Sequence, residues 1–140
     1  MSTIDQGILG VASLLRDPGV VFEFGCHESD SKNYIQLATE KFPGKPYCLV
    51  RDWVVWDVRT SDSEMKMFDA NSIKPVMVHA KFVIHDQTGR VRRGDYRISR
   101  PLVEMFDPCF FVTQNTVYIL AGRGTRKMVN AKDVNAVYFG

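Results

Sequence analysis

Arg90, Arg92, Arg93, Arg97 and Arg100 crowd one short stretch of the chain, with Tyr96 set among them. Guanidinium groups beside an aromatic ring can hold a phosphodiester backbone and stack a base. Arg126 and Lys127 join them if the C-terminal segments continue the same sheet. Arg92, Arg93, Tyr96, Arg97, Arg126 and Lys127 are therefore the candidate nucleic-acid contacts. The same residues also serve with no ligand, as charge protecting a sheet edge, with Asp95 and Glu104 at hand to pair some of it. A sequence pI near 8.5 falls short of the basicity that usually announces a nucleic-acid domain.

No other group reaches a catalytic or metal-binding pattern. His79 and His85 share a face of any regular strand but stand roughly 20 Å apart at about 3.3 Å per residue, too far to hold one metal. Cys26-His27-Glu28, with Asp30 near, supplies donor atoms in a loop but no second pair of ligands. Cys26, Cys48 and Cys109 are widely spaced and contain no C-x-x-C pair, so reduced, buried thiols are expected rather than a disulfide framework. Gly122-Arg-Gly-Thr-Arg-Lys127 resembles a phosphate loop only superficially. One residue separates its glycines where a P-loop has four, and strands are expected on both sides, so it reads as a tight hairpin turn.

The elements that must position these residues follow from periodicity. Ile4, Ile8, Val11, Leu14 and Leu15 fall near helical spacing, stopped by Asp17-Pro18-Gly19, and Val20–Phe24 is a short strand. Ser29 or Ser31 can cap a second helix that turns Tyr34, Ile35, Leu37 and Ala38 to the core and ends at Pro43-Gly44-Lys45-Pro46. Residues 47–59 are rich in aromatic and β-branched side chains and read as a long strand. Strict alternation buries Asp52 on that strand, which predicts a bulge or hairpin near Arg51-Asp52. Residues 60–74 read as a loop with at most one helical turn.

Residues 75–85 alternate with Val76, Val78, Ala80, Phe82 and Ile84 as the core face, and pair through Asp86-Gln-Thr-Gly89 with residues 91–98 as an antiparallel hairpin. Ser99–Phe106 has room for one helical turn with Pro101 at its first position. Residues 109–113, 116–121 and 125–129 read as a β-meander, and 132–139 as a last short strand. Trp53, Trp56, Phe110, Phe111 and Tyr118 can form a contact surface, but their alternation with other apolar positions assigns them to the core.

The chain is 45% hydrophobic, 11% aromatic and 24% charged over 140 residues, which excludes a disordered or low-complexity protein and suits one domain spanning 1–140. Net charge is +2, but residues 1–70 carry −4 and residues 71–140 carry +6. Such asymmetry can mark a surface for a charged partner. No apolar run is long enough to span a membrane and no secretory signal opens the chain, so a cytoplasmic protein with no membrane partner is expected.

Phe42-Pro-Gly-Lys-Pro-Tyr-Cys-Leu-Val-Arg-Asp-Trp53, Gly94-Asp95, Ser99-Arg-Pro-Leu102 and Thr113-Gln-Asn-Thr-Val-Tyr-Ile-Leu-Ala-Gly-Arg-Gly124 together resemble a family of short uncharacterised bacterial proteins. The likeness covers residues 30–128, with departure expected over the first 25. It carries no catalytic residue or cofactor across.

The expected architecture is α+β: a single domain with an antiparallel sheet of about five to seven strands and one or two helices on one face. The absence of a coherent catalytic set points away from an enzyme, and neither a cofactor nor a metal is expected. The leading functional reading is a non-enzymatic binding module that contacts another protein, as a bacterial or phage accessory protein does. The alternative is a nucleic-acid-binding module using the arginine-rich hairpin at 90–100. Homodimerisation through an exposed sheet edge is a third possibility.

Overall fold

The computed structural model describes residues 3–139. In chain order the elements are α1 (Thr3–Arg16), β1 (Val20–Phe22), a short 3₁₀ turn (Glu28–Asp30), α2 (Ser31–Lys41), β2 (Tyr47–Arg59), α3 (Asp62–Ala70), β3 (Val76–Asp86), β4 (Arg97–Ile98), β5 (Leu102–Phe106), β6 (Phe110–Thr113), β7 (Val117–Leu120), β8 (Gly124–Asn130) and α4 (Ala131–Phe139). Ile4 and Ile8, expected on the core face of the first helix, lie outside the residues whose side chains are described, whereas Leu14 is buried.

The sheet is organised around β2, whose β-branched and aromatic run suits a strand covered on both faces. One edge of β2 pairs antiparallel with β3. Its other edge pairs in parallel first with β7, over Tyr47–Val50, and then with β8, over Val54–Arg59. The sheet is thus mixed and has eight strands, not the antiparallel five to seven expected, and it curls into a half-barrel. A bridge between Lys74 and Leu102 brings β5 back toward the start of β3.

Gly122–Lys127 is consequently not a hairpin turn. β7 and β8 do not pair with each other; they lie end to end along β2. Trp53 sits at the break between them and donates its indole Nε1–H to the Ala121 carbonyl at 3.1 Å. A Cβ on Gly124 would stand 2.2 Å from the Trp53 ring, so the second glycine is demanded by this packing rather than by a turn.

The expected phase change near Asp52 is present. Asp52 has φ +52° and is exposed, and the β2–β3 register shifts between Leu49 and Val50. As a result Cys48, Val50, Trp53 and Val55 all face one inner cluster, closed by Val78, Val83, Phe111, Tyr118 and Leu120. Leu49, Val54 and Trp56 face outward, where helices cover them. α2 packs on Leu49, Phe110 and Ile119; Leu14 of α1 and Val134 of α4 pack on Val54, Trp56 and Met77. All five aromatic residues assigned to the core are buried.

Four local expectations are corrected. Residues 60–74 contain a nine-residue helix, α3, rather than one turn, because Ser61 and Glu64 close its first turn. Ser99–Phe106 is not helical: Pro101 precedes β5, which pairs antiparallel with β6, so the meander is β5–β6–β7. Residues 131–139 form α4 instead of a strand, with Val134 and Val137 three apart on the side that meets α1 and β2. On β3 the core face holds for Val76, Val78 and Ala80, but Phe82 and Ile84 are only half-buried, and Met77, His79 and Val83 are buried instead. The hairpin survives as β3 with the short β4, while residues 91–96 form a loop.

Candidate functional site

The structure divides the six basic and aromatic candidates between two regions and engages four of them in internal hydrogen bonds. Arg126 makes a bidentate pair with Asp57 at 2.7 and 2.8 Å and lies over the Phe22 ring. Lys127 Nζ donates to the Ser13, Leu14 and Asp17 carbonyls at 3.1, 2.9 and 2.6 Å, closing the C-terminus of α1. Arg97 pairs with buried Asp86 at 3.5 Å and lies over the Tyr118 ring. Burial alone raises a carboxyl pKa, but bonds to Asp86 from Thr88 and the Val91 amide, with the Arg97 charge, hold it below its ordinary value. Asp86 thus fixes the turn that starts the arginine loop. Arg93 donates to the Ile84 carbonyl and lies beside the Phe82 ring but is itself exposed, as are Arg92 and Tyr96.

The cysteines and histidines separate similarly. All three thiols are free and buried. Cys26 and Cys109 hydrogen-bond each other, which lowers the first thiol and raises the second; burial pushes Cys48 up to about 11. His27 and His85 are exposed, while His79 is buried beneath Trp56 and Tyr96. Among the described residues no group of three or more His, Cys, Asp or Glu is placed to hold a metal.

The feature that sequence reasoning passed over is α3. Ser61 Oγ accepts from the Glu64 amide at 3.2 Å while Glu64 Oε1 accepts from the Ser61 amide at 2.9 Å, a reciprocal cap readable in Ser61-Asp-Ser-Glu64. Bonds from the Ser61 amide, and next from the Ser61 hydroxyl, hold the Glu64 carboxyl below its ordinary pKa. At the other end Asn71 Nδ2 donates to the Met67 carbonyl at 2.8 Å, and the Ile73 amide reaches the Phe68 carbonyl at 3.1 Å. Both ends are closed by local bonds, yet the helix buries none of its residues.

Met67 is 67% exposed and Met65 38%. Glu64, Met67 and Phe68 form the wall shared by two hollows. The larger, about 480 Å³, is completed by Val58, Met77, Pro101 and Val134; the smaller, about 280 Å³, by Asn71 and Ile73. Asp62, Glu64 and Asp69 outnumber Lys66 on the helix, and Arg100 stands on the far wall of the larger hollow. The arrangement offers flexible thioether surface and two apolar recesses under an acidic helix. It suits docking rather than bond-making chemistry. α3 precedes β3 and the arginine loop follows it, so the acidic and basic halves of the sequence meet opposite ends of that strand.

Fold and surface together define a small α+β domain built on a mixed, curled sheet, with no helix long and apolar enough to cross a membrane among the described residues. The chain belongs to the family described as a domain of unknown function, DUF6957, whose model matches residues 23–136. The match contains the whole of the sheet from β2 to β8, and α1 falls outside it. No curated protein and no solved structure matches the chain.

Proposed function

We propose that the chain is a non-enzymatic binding module, and that its partner is another protein docked on α3 and the two hollows beside it. One observation carries this reading: a nine-residue helix, capped at both ends, has no fully buried residue and covers only Phe68 in part. Helices this short are marginal by propensity and normally gain stability by burying an apolar face. Here Met67 and Phe68 border open recesses instead, and Met65 is exposed.

The other exposed apolar residues give weaker support to a docking surface. Val20 and Val21 belong to a three-residue edge strand, a length that itself limits edge pairing, and neither lines either hollow. The acidic excess on α3 favours a partner segment that presents apolar side chains flanked by cations, an amphipathic basic helix for example.

The test uses the full chain labelled at its methionine methyl groups and two synthetic amphipathic helices, one of Leu and Lys, one of Leu and Glu. The Leu/Lys helix is expected to shift the Met65 and Met67 signals and leave Met105 unchanged; Met67→Glu is expected to weaken that binding at least tenfold. Equal binding of both peptides, or shifts confined to Met128, overturns the reading.

A further inference from the structure

The two buried side-chain polar atoms that lack a hydrogen-bond partner among the described residues lie together. They are Trp56 Nε1 and His79 Nδ1, on rings whose centroids are 5.1 Å apart. Native interiors satisfy nearly all such atoms, because each one left unpaired costs stability. His79 also forms part of the wall of an open cleft of about 520 Å³, completed by Leu15 and Arg16 of α1, Lys81 of β3, Tyr96 and Val137 of α4. None of these six residues is acidic. Tyr96 stands edge-on to His79 at 6.2 Å and is 62% exposed.

We infer that this cleft is a ligand site for an anionic compound with a planar aromatic group, of the chemical class of a nucleoside monophosphate. Arg16 and Lys81 supply the charge for the phosphate. The exposed Tyr96 ring supplies a face on which a base stacks. The hydrogen-bonding edge of the base supplies the partner that His79 Nδ1 lacks. Because Nδ1 is shut off from solvent, Tyr96 turns aside to admit that contact, and its exposure leaves it room to do so. A cleft of this volume falls in the range of sites for small ligands. Burial, with Lys81 and Lys127 nearby, keeps the His79 imidazole neutral at physiological pH, so it accepts or donates a hydrogen bond rather than adding a third charge. The cleft shares no lining residue with the hollows beside α3 and stands independently of the docking proposal.

The test is calorimetric titration of the full chain with AMP, GMP, CMP and UMP, with inorganic phosphate and adenosine as single-feature controls. Saturable binding of at least one nucleotide, tighter than either control, is expected, with a Kd on the order of 1 mM or below. Lys81→Ala and Tyr96→Ala, both at exposed positions and so expected to fold normally, should each weaken it at least fivefold. Arg92→Ala and Met67→Glu should leave it unchanged. Failure of all four nucleotides to bind, phosphate or adenosine binding as tightly as the best nucleotide, or affinity indifferent to both cleft variants overturns the inference.

Discussion

α2 and α3 are short helices of similar length on the same domain, held by opposite means. α2 has no side-chain cap at its Asp30 N-cap, but Ala38 is buried, Tyr34 meets Phe110 edge-on at 6.1 Å, and Phe42 just beyond its end meets Phe106 and Phe110. α3 has a reciprocal cap and a closed C-terminus, and fully buries no residue, Phe68 being half-buried. The first draws its stability from tertiary packing and the second from local hydrogen bonds. A surface that the core does not need is free to be shaped for a partner, and of these two helices α3 carries more of it.

Phe110→Ala attacks the packed helix where it is anchored. Loss of a buried aromatic of this kind costs about 3–5 kcal/mol. Amide exchange should show α2 opening well before the sheet, with α3 unaffected. Fast exchange spreading equally into both helices would show that α3 depends on the same core and would break the comparison.

Acid probes the core on which both helices sit. His79 has its pKa lowered to about 4, chiefly by burial and then by Lys81 and Lys127, against an ordinary value near 6.5. The unfolded chain therefore binds the proton first, and stability falls as pH drops from about 6.5 toward about 4, by on the order of 3 kcal/mol in all. Urea unfolding of the wild type and of His79→Phe at pH 7 and pH 4.5 measures this. The variant should lose much of the acid sensitivity, and equal slopes for the two proteins would contradict the assignment.

Ser61→Ala removes the cap alone. It should cost about 1 kcal/mol, with helicity lost in α3 and none in α2. Smallest of all, Met67→Glu should change stability by no more than about 0.5 kcal/mol, as surface substitutions generally do, while abolishing docking.

The contrast between the helices was only half legible in the sequence. α2 announced itself by spacing and by its Pro-Gly stop. α3 was hidden by polar composition, although Ser61 and Glu64 stand at the separation a reciprocal cap requires. Alternation on residues 47–59 pointed to a phase change at Asp52 and assigned the tryptophans to the core, because those consequences are local. It had no means of showing that β2 takes two parallel partners in succession, since strand pairing is set by long-range packing. Gly124 was read as a turn for that reason, when its role is to admit the Trp53 ring. The arginines were legible as a cluster but not as partners: Asp57 lies 69 residues from Arg126 and Asp86 eleven from Arg97. The cleft beside His79 draws on α1, β3, the arginine loop and α4, and no spacing rule joins residues so far apart.

The most direct measurement follows the methionine methyl signals of the full chain as the Leu/Lys amphipathic helix is added. The account predicts saturable shifts at Met65 and Met67, lost in Met67→Glu, while half-buried Met105, which lines neither hollow, keeps the pattern of an intact fold. Methyl signals of α3 that stay in place while those elsewhere move would contradict it.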